Sequence, residues 1–344
     1  MDNPDCASIS KRMSTSTDIL IVGGGLNGPT LALAAAQSGL RSTVIDARPD
    51  SDRRSDNFDG RSYALALASV RMLNALGLWE NLKANAQPMN EIKVSDGRAG
   101  DAEVFLGLHF DSAEIEEGPM GHMLEDRFLR RALLDAMEKE PLITYLPGEY
   151  VIGQEVTVSD ASVSLASGAT LSGRLIVGAD GRKSGTGQRA GIQRTEWDYH
   201  QTALVCAIAH ERPHNGVAHQ LFMPSGPLAI LPLTGNRSSI VWSERSDIAA
   251  DINRLPEDDY LTVLRPRFGD FLGEISLAGE RFTYPLGLTV ANRFIGDRLA
   301  LIGDAAHGMH PIAGQGLNAG LRDVAALAHV IGHATRRGED FASP

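Results

Sequence analysis

An α/β fold, a Rossmann-like dinucleotide-binding domain with an inserted mixed β-sheet, is predicted by three features of the sequence. These are a glycine-turn unit from Asp18 to Arg48, two later buried strands that end in Asp-Gly and Gly-Asp, and a block of alternating strands from Thr195 to Trp242. In the first unit, Asp18 to Val22 is apolar and β-branched enough for a buried parallel strand. Gly23, Gly25 and Gly28 follow at G-x-G-x-x-G spacing, which permits a tight turn, close approach of a pyrophosphate, and helix-on-strand packing in that order. From Asn27 an alanine-rich helix runs to a stop at Gly39, with Pro29 in its first turn, where a missing N–H costs least. Its N-terminal amides and dipole suit a phosphate. A second strand, Ser42 to Ile45, leads to Asp46, whose carboxylate stands where it can accept the hydroxyls of an adenosine ribose and where it disfavours a 2′-phosphate. The motif by itself does not separate NAD from FAD.

Composition narrows the class further. The 344 residues are enough for one large or two ordinary domains, and 43% hydrophobic with 22% charged residues is ordinary for a globular protein. A net charge of -11 disfavours nucleic acid as a partner. Cys6 and Cys206 provide neither a disulfide framework nor a thiolate metal site, which fits a reducing cytoplasm. No apolar run reaches transmembrane length, and residues 1–17 lack the apolar centre of a secretory signal and read as a disordered leader.

After the first unit comes a charged loop and then a predicted helix from Ser62 to Leu76, with Arg61 at its start, where a guanidinium could meet a phosphate or ring edge. Glu91 to Phe110 reads as two strands around a turn at Asp96 to Gly100. The segment GHMLEDRFLRRALLDAMEK reads as a helix with Phe128, Leu129, Ala132, Leu133 and Ala136 on its apolar face. Glu125 or Asp126 can cap it, and Arg127 in its first turn opposes the dipole, which predicts an anion facing it. Leu142 to Leu171 alternates short β runs with polar turns, as in a small accessory sheet. Leu175 to Val177 is a buried strand ending at Asp180-Gly181, the position where a parallel sheet meets its ligands.

The strands from Thr195 to Trp242 form a sheet with an apolar inner face, in which Trp197, Tyr199, Phe222 and Trp242 are expected in the core. Helices are expected from Ser246 to Phe268, followed by a strand into Tyr284-Pro285-Leu286. Finally, Leu299 to Ile302 is a buried strand ending at Gly303-Asp304, and a glycine loop, Gly314-Gln315-Gly316, precedes a helix over Leu317 to Ile331. Its exposed amides at Gly316 to Asn318 would stabilise an anion. His307 and His310 have no carboxylate–histidine pair at helical spacing beside them, so no metal is expected.

Taken together, Gly23 to Gly28, Asp180-Gly181, and Gly303-Asp304 followed by His307, His310-Pro311, Gly314-Gln315-Gly316 and Asn318 resemble the three signatures of single-component FAD-dependent aromatic hydroxylases. Their fold is the GR2-type FAD-binding fold of para-hydroxybenzoate hydroxylase, with an inserted substrate sheet. Within that group, DGRSYALALASVRMLNALGLW, LEDRFLRRALL, Gln201-Thr202-Ala203 and GPLAILPL are similar to the ubiquinone-biosynthesis hydroxylases of the 2-polyprenyl-6-methoxyphenol hydroxylase type.

The resemblance implies FAD as cofactor, NAD(P)H as co-substrate and O2 as oxidant. NAD(P)H would reduce the flavin, O2 would add at its C4a carbon, and the hydroperoxide would hydroxylate a polyprenyl phenol. It also implies peripheral contact with the inner membrane on the cytoplasmic side and subunits of a ubiquinone-biosynthesis complex as partners. Carried over, Gly23, Gly25 and Gly28 hold the pyrophosphate, and Asp46, with Arg48 beside it, holds the ribose. Arg61 and Arg127 face the flavin side of the cofactor, and Asp180 and Gly181 serve both FAD and NAD(P)H. Gly303 and Asp304 bind the ribityl or pyrophosphate region, and Pro311, Gly314, Gly316, Leu317 and Asn318 line the isoalloxazine. His310 and Gln315 are the candidates to act at the reacting ring.

The implied cofactor domain comprises 18–95, 126–192 and 286–344, and the substrate domain 96–125 and 193–285. Relatives would continue through further helices after the last of these segments. One local departure concerns the nicotinamide contact, because Ser184 is followed by Gly187 and Arg189 is displaced by two positions. The rival readings are a soluble aromatic hydroxylase, a prenyl reductase of the same fold, and a non-catalytic partner in a ubiquinone-biosynthesis assembly. A flavin halogenase would need a G-W-x-W-x-I-P stretch, and Trp79, Trp197 and Trp242 are isolated from one another.

Overall fold

The computed structural model describes residues 17–96, 106–267 and 269–343. A six-stranded sheet runs in the order Ile295–Gly296, Leu299–Leu301, Leu175–Gly178, Ile19–Val22, Ser42–Asp46, Ile143–Pro147, and its pairings are parallel except at the first edge. Both faces of its central strands are covered, which is why these strands are continuously apolar rather than alternating. Ile19, Ile21 and Val44 pack against the helices Asn27–Ala36, Asp126–Lys139 and Gln315–Arg336. Leu20, Val22 and Ile45 pack on the other side against Ala161, Val163 and Leu165 of a three-stranded antiparallel sheet.

The second large sheet is mixed. Its main order is His307–Gly308, Phe282–Ala291, Arg194–His210, Arg237–Arg245, Gly226–Leu233, Val217–Met223, Glu91–Asp96, Leu106–Asp111, with Ile275–Leu277 paired beside Arg194–His210. One of its faces packs through Leu204, Leu228, Ile240 and Trp242 onto the helices Ser246–Asn253 and Glu257–Leu264. The other face turns toward the cofactor side of the molecule. A further small sheet joins Ser62–Ala66, Gly121–Glu125 and Gln87–Met89 beneath that face.

Several expectations are corrected. The predicted helix from Ser62 opens as a strand, and the helix occupies Leu67–Ala75. Its alanines and leucines favour a helix locally, but pairing with Gly121–Glu125 overrides that preference. The backbones approach so closely there that a Cβ at Gly121 would collide with the Leu65 carbonyl. Arg61 therefore precedes a strand, and the segment from Gly121 to Glu125 is a strand that leads into the helix Asp126–Lys139, with Glu125 at the expected cap position. Ile143–Pro147 leaves the accessory sheet to extend the parallel one, and the last helix runs over Gln315–Arg336.

The expected substrate insertion at 96–125 is also shifted. Glu91–Asp96 already pairs with Leu106–Asp111 in the large mixed sheet, whereas Gly121–Glu125 has left that sheet. Trp242 is buried, but Trp197 is 67% and Phe222 40% exposed. Trp197 lies on the arm of Arg194–His210 that reaches past the Arg237–Arg245 strand, so it is paired on one side by Leu288 only. The expected leader, apart from residue 17, and most of the turn at Asp96 to Gly100 fall outside the described residues.

Candidate cofactor and substrate site

Where the Ile19–Val22 strand ends, Gly23 takes φ +118°, and a side chain there would collide with the Ala179 backbone of the neighbouring strand end. At Gly28 a Cβ would strike the Gly23 carbonyl, so the turn and the helix close on each other only with glycine. Gly25 has nothing within 4 Å of where its Cβ would be and opens onto a cavity of about 800 Å³. The helix Asn27–Ala36 points its N-terminus there with no side-chain cap and no acidic residue in its first turn. Asn27, a cavity residue, keeps a buried Oδ1 without a partner.

Asp46 is buried, and its carboxylate is already engaged. Arg53 donates to it through Nε at 2.5 Å and through a second guanidinium nitrogen at 2.9 Å, and the Arg48 N–H donates at 3.0 Å. Arg53 lines the cavity and was not foreseen, whereas the expected Arg48 contributes its backbone and leaves its side chain exposed. Arg61 lines the cavity as expected and donates to Asp59 at 2.9 Å and to Asp126 at 3.2 Å. Tyr63 donates to the same Asp126 at 2.9 Å; burial first, and then that carboxylate, push its phenol well above the ordinary range.

Arg127 does not join them. Its anion is the protein's own Glu125, at 2.8 Å, and it stacks on Phe128. The cation that the helix does present is Arg130, one turn after Asp126 and bonded to it at 2.8 Å. Positions four apart share a helix face, whereas position 127 is rotated off it. The carboxylate of Glu125 binds Arg127 and Arg237 instead of capping the helix.

The Asp180-Gly181 turn divides its work. Gly181 borders the cavity, while Asp180 organises the following loop, accepting from Ser184 Oγ and from the N–H and hydroxyl of Thr186, both at 2.9 Å. Arg189 reaches away to Gln154 and the Val151 carbonyl, and Arg182 is the cation at the cavity, bonded to Asp304 at 3.2 Å and the Met309 carbonyl at 3.0 Å. Asp304, Pro311, Gly314, Gly316 and Leu317 line the cavity, and Gly303 lies behind it, its N–H on Asp323 at 2.8 Å.

Gly314 adopts φ +62° just before the helix Gln315–Arg336, whose first turn carries no acidic residue. Asn318 fixes this loop from beneath. Its Oδ1 accepts from Ala66 N and Ser69 Oγ, and its Nδ2 donates to the Ala64 and Gly314 carbonyls. His310 and Gln315 are not among the cavity-lining residues. His310 packs on Tyr199 with ring centroids 5.7 Å apart, and burial, assisted by the Arg182 charge, holds its pKa below the ordinary histidine value.

His307 bonds Asp323 at 2.7 Å, which raises its pKa despite partial burial. A raised folded pKa contributes stability that is complete below the unfolded value of about 6.5 and disappears as pH rises through the folded value. His307→Gln should therefore lower Tm more at pH 6 than at pH 9, measured by thermal denaturation of both proteins at each pH. An equal deficit at the two pH values would contradict this.

A family model described as an FAD binding domain matches residues 16–340. The chain belongs to this FAD-binding family. Within it, the chain is 46% identical over 327 residues to the ubiquinone hydroxylase UbiL of Rhodospirillum rubrum, covering 95% of this chain and 75% of that protein. It is 34% identical over 331 residues to the 3-demethoxyubiquinol 3-hydroxylase of Escherichia coli, covering 95% and 82%. These relatives place it in the ubiquinone hydroxylase group of the FAD-binding family. The fold is shared with PqsL of Pseudomonas aeruginosa, a probable FAD-dependent monooxygenase, at TM-score 0.79 and 23% identity over 93% of this chain and 87% of that one. It is also shared with p-nitrophenol 4-monooxygenase PnpA of Pseudomonas putida, at TM-score 0.76 and 19% identity over 94% and 81%.

The cavity suits the family's cofactor. The open backbone at Gly25, the uncapped helix N-terminus and the Asn27 Oδ1, which has no partner among the described residues, offer polar contacts to a ligand. Arg53, Arg61, Arg130 and Arg182, each tied to a carboxylate, bring guanidinium donors to its wall, to which a pyrophosphate can bond.

Proposed function

We propose that the chain is an FAD-dependent monooxygenase that hydroxylates a polyprenylated phenol of ubiquinone biosynthesis, with NAD(P)H and O2 as co-substrates. The supporting observation is that one cavity joins two unlike halves: the glycine turn, arginines and Gly314–Leu317 loop on one side, and the apolar face of the mixed sheet on the other. When bound, FAD supplies the redox chemistry, taking hydride from NAD(P)H and activating O2. Gly25 and the amides of the Asn27–Ala36 helix would hold the phosphates, Arg53, Arg61 and Arg130 would donate N–H groups to them, Asp304 would accept hydroxyls, and Asp46 would hold Arg53 in place at the wall. The N-terminus of the Gln315–Arg336 helix favours negative charge at the ring system. Val241 and Pro311 exclude water and orient the phenol. His310 and Gln315 act, on this reading, by shaping the loop rather than by proton transfer, since neither borders the cavity.

Among the described residues no helix is long and apolar enough to cross a membrane. A polyprenyl phenol partitions into lipid, so we also propose weak peripheral attachment to the inner membrane, alone or through other subunits of the pathway. Attachment through an apolar patch around Leu221 to Leu233 of the mixed sheet would rest on Phe222, the large apolar side chain there that is substantially exposed; Leu228 and Leu233 are buried.

The protein should purify yellow and release intact FAD. With NAD(P)H, a prenylated phenol and labelled O2, one labelled oxygen atom should enter the ring, as read by mass spectrometry. Saturation of a prenyl double bond without label would favour the reductase, and turnover of tailless phenols alone would favour the soluble hydroxylase.

A further inference from the structure

The apolar half of the cavity continues well past the space a phenol ring needs. Interstrand pairing sets five side chains in one line across the mixed sheet: Val241 faces Ala229, Ala229 faces Gln220, Gln220 faces Val94, and Val94 faces Leu108. Beside it runs a shorter line, Ala218 to Ile92 to Phe110. All of these residues line the same cavity. Four interstrand steps of about 4.8 Å make the longer line about 19 Å. It starts at Val241 on the interior strand Arg237–Arg245, in the cavity that the Gly314–Leu317 loop also lines, and finishes on Leu106–Asp111, the last strand of the sheet.

Its chemistry is uniform. Gln220 is the one polar side chain in the two lines, and the charged residues of the cavity wall (Arg53, Arg61, Asp126, Arg130, Arg182, Asp304) belong to other elements. Two alanines in the lines, Ala218 and Ala229, leave depth between larger neighbours. At the outer end Leu108 is 63% and Phe110 46% exposed, a cluster that a closed ring pocket would not leave in water.

We propose that these two lines are the path along which the hydrocarbon tail of the substrate leaves the ring site, opening at the Leu106–Asp111 edge so that the far end of the tail remains in lipid while the ring is oxidised. The occupant is fixed by continuity: the trough and the ring site are one cavity, and an apolar chain attached to the ring is what extends from one into the other. This path deepens the proposed function and rests on it.

The test uses FAD-loaded protein and calorimetric titration with 2-farnesylphenol and with phenol. The farnesyl compound should bind at least about a hundredfold tighter, given the apolar area it would bury. Leu108→Asp, at an exposed edge where folding is not at stake, and Ala229→Phe, which fills the trough one strand beyond Val241, should each lower the farnesyl-to-phenol ratio by about tenfold or more. Ile152→Asp, an equally exposed apolar residue on the accessory sheet, should leave the ratio as it is. No tail advantage, or a ratio unmoved by Leu108→Asp, overturns the path. Tail-dependent binding of this pattern without any oxygenated product supports the path and counts against the proposed reaction, so the two fail separately.

Discussion

Asp126→Ala should cost about 3–5 kcal/mol, the scale for leaving a buried charge without its partner. Asp126 is 2% exposed and receives Arg61, Arg130 and Tyr63; Arg130, at 7% exposure, would keep only the backbone carbonyls of Asp52, Arg53 and Ser55, at the end of the short helix Asp50–Arg53 and just after it. Denaturant midpoints at unchanged slope measure the loss. Arg131→Ala provides the comparison, because its pair with Asp56 lies at the surface and should be worth no more than about 1 kcal/mol. The same substitution should weaken FAD binding, since Arg61 and Arg130 on the cavity wall are both held by this carboxylate. A variant as stable as Arg131→Ala would show that the arginines find other anions.

Asn318→Leu should be as damaging, although it keeps the branched outline of the side chain. The side chain is 1% exposed and makes four hydrogen bonds, so leucine would strand the Ala66 N–H, the Ser69 hydroxyl and the Ala64 and Gly314 carbonyls. Each buried group left without a partner costs about 1–3 kcal/mol, less whatever the loop recovers by moving toward water. That movement would displace Gly314 from the cavity, so FAD affinity should fall together with Tm. Retention of both would mean that the loop is held from elsewhere.

The parts of this protein that sequence reading reaches are those where the backbone dictates the residue. Gly23 and Gly28 are required by collisions, and the Ile19–Val22 and Leu175–Gly178 strands are required by burial on both faces, so spacing and composition carry them. The arginines behave differently. Arg53, Arg130 and Arg182 come to the cavity from a short helix, a long helix and a turn, and nothing local distinguishes them from Arg48, Arg127 and Arg189. One signal was available: Asp126 and Arg130 stand four apart, and that spacing puts the acid and its cation on one face, whereas Arg127 cannot share it. Ser62–Ala66 misleads for the opposite reason, because its local preference is helical and its strand is imposed by Gly121–Glu125, nearly sixty positions later.

The bonds of Asn318 also set a schedule for assembly. Three of the four join residues 249 to 254 positions apart, and the parallel sheet beside them draws its strands from across the same span. Contacts so distant along the chain form slowly, because loop-closure entropy must be overcome before they give anything back. During synthesis the glycine turn emerges early, but the loop that completes the cavity emerges some three hundred residues later. Cofactor capture is therefore a late event that waits for the Gln315–Arg336 helix to dock, and before docking the apolar floor of the cavity is open to other chains.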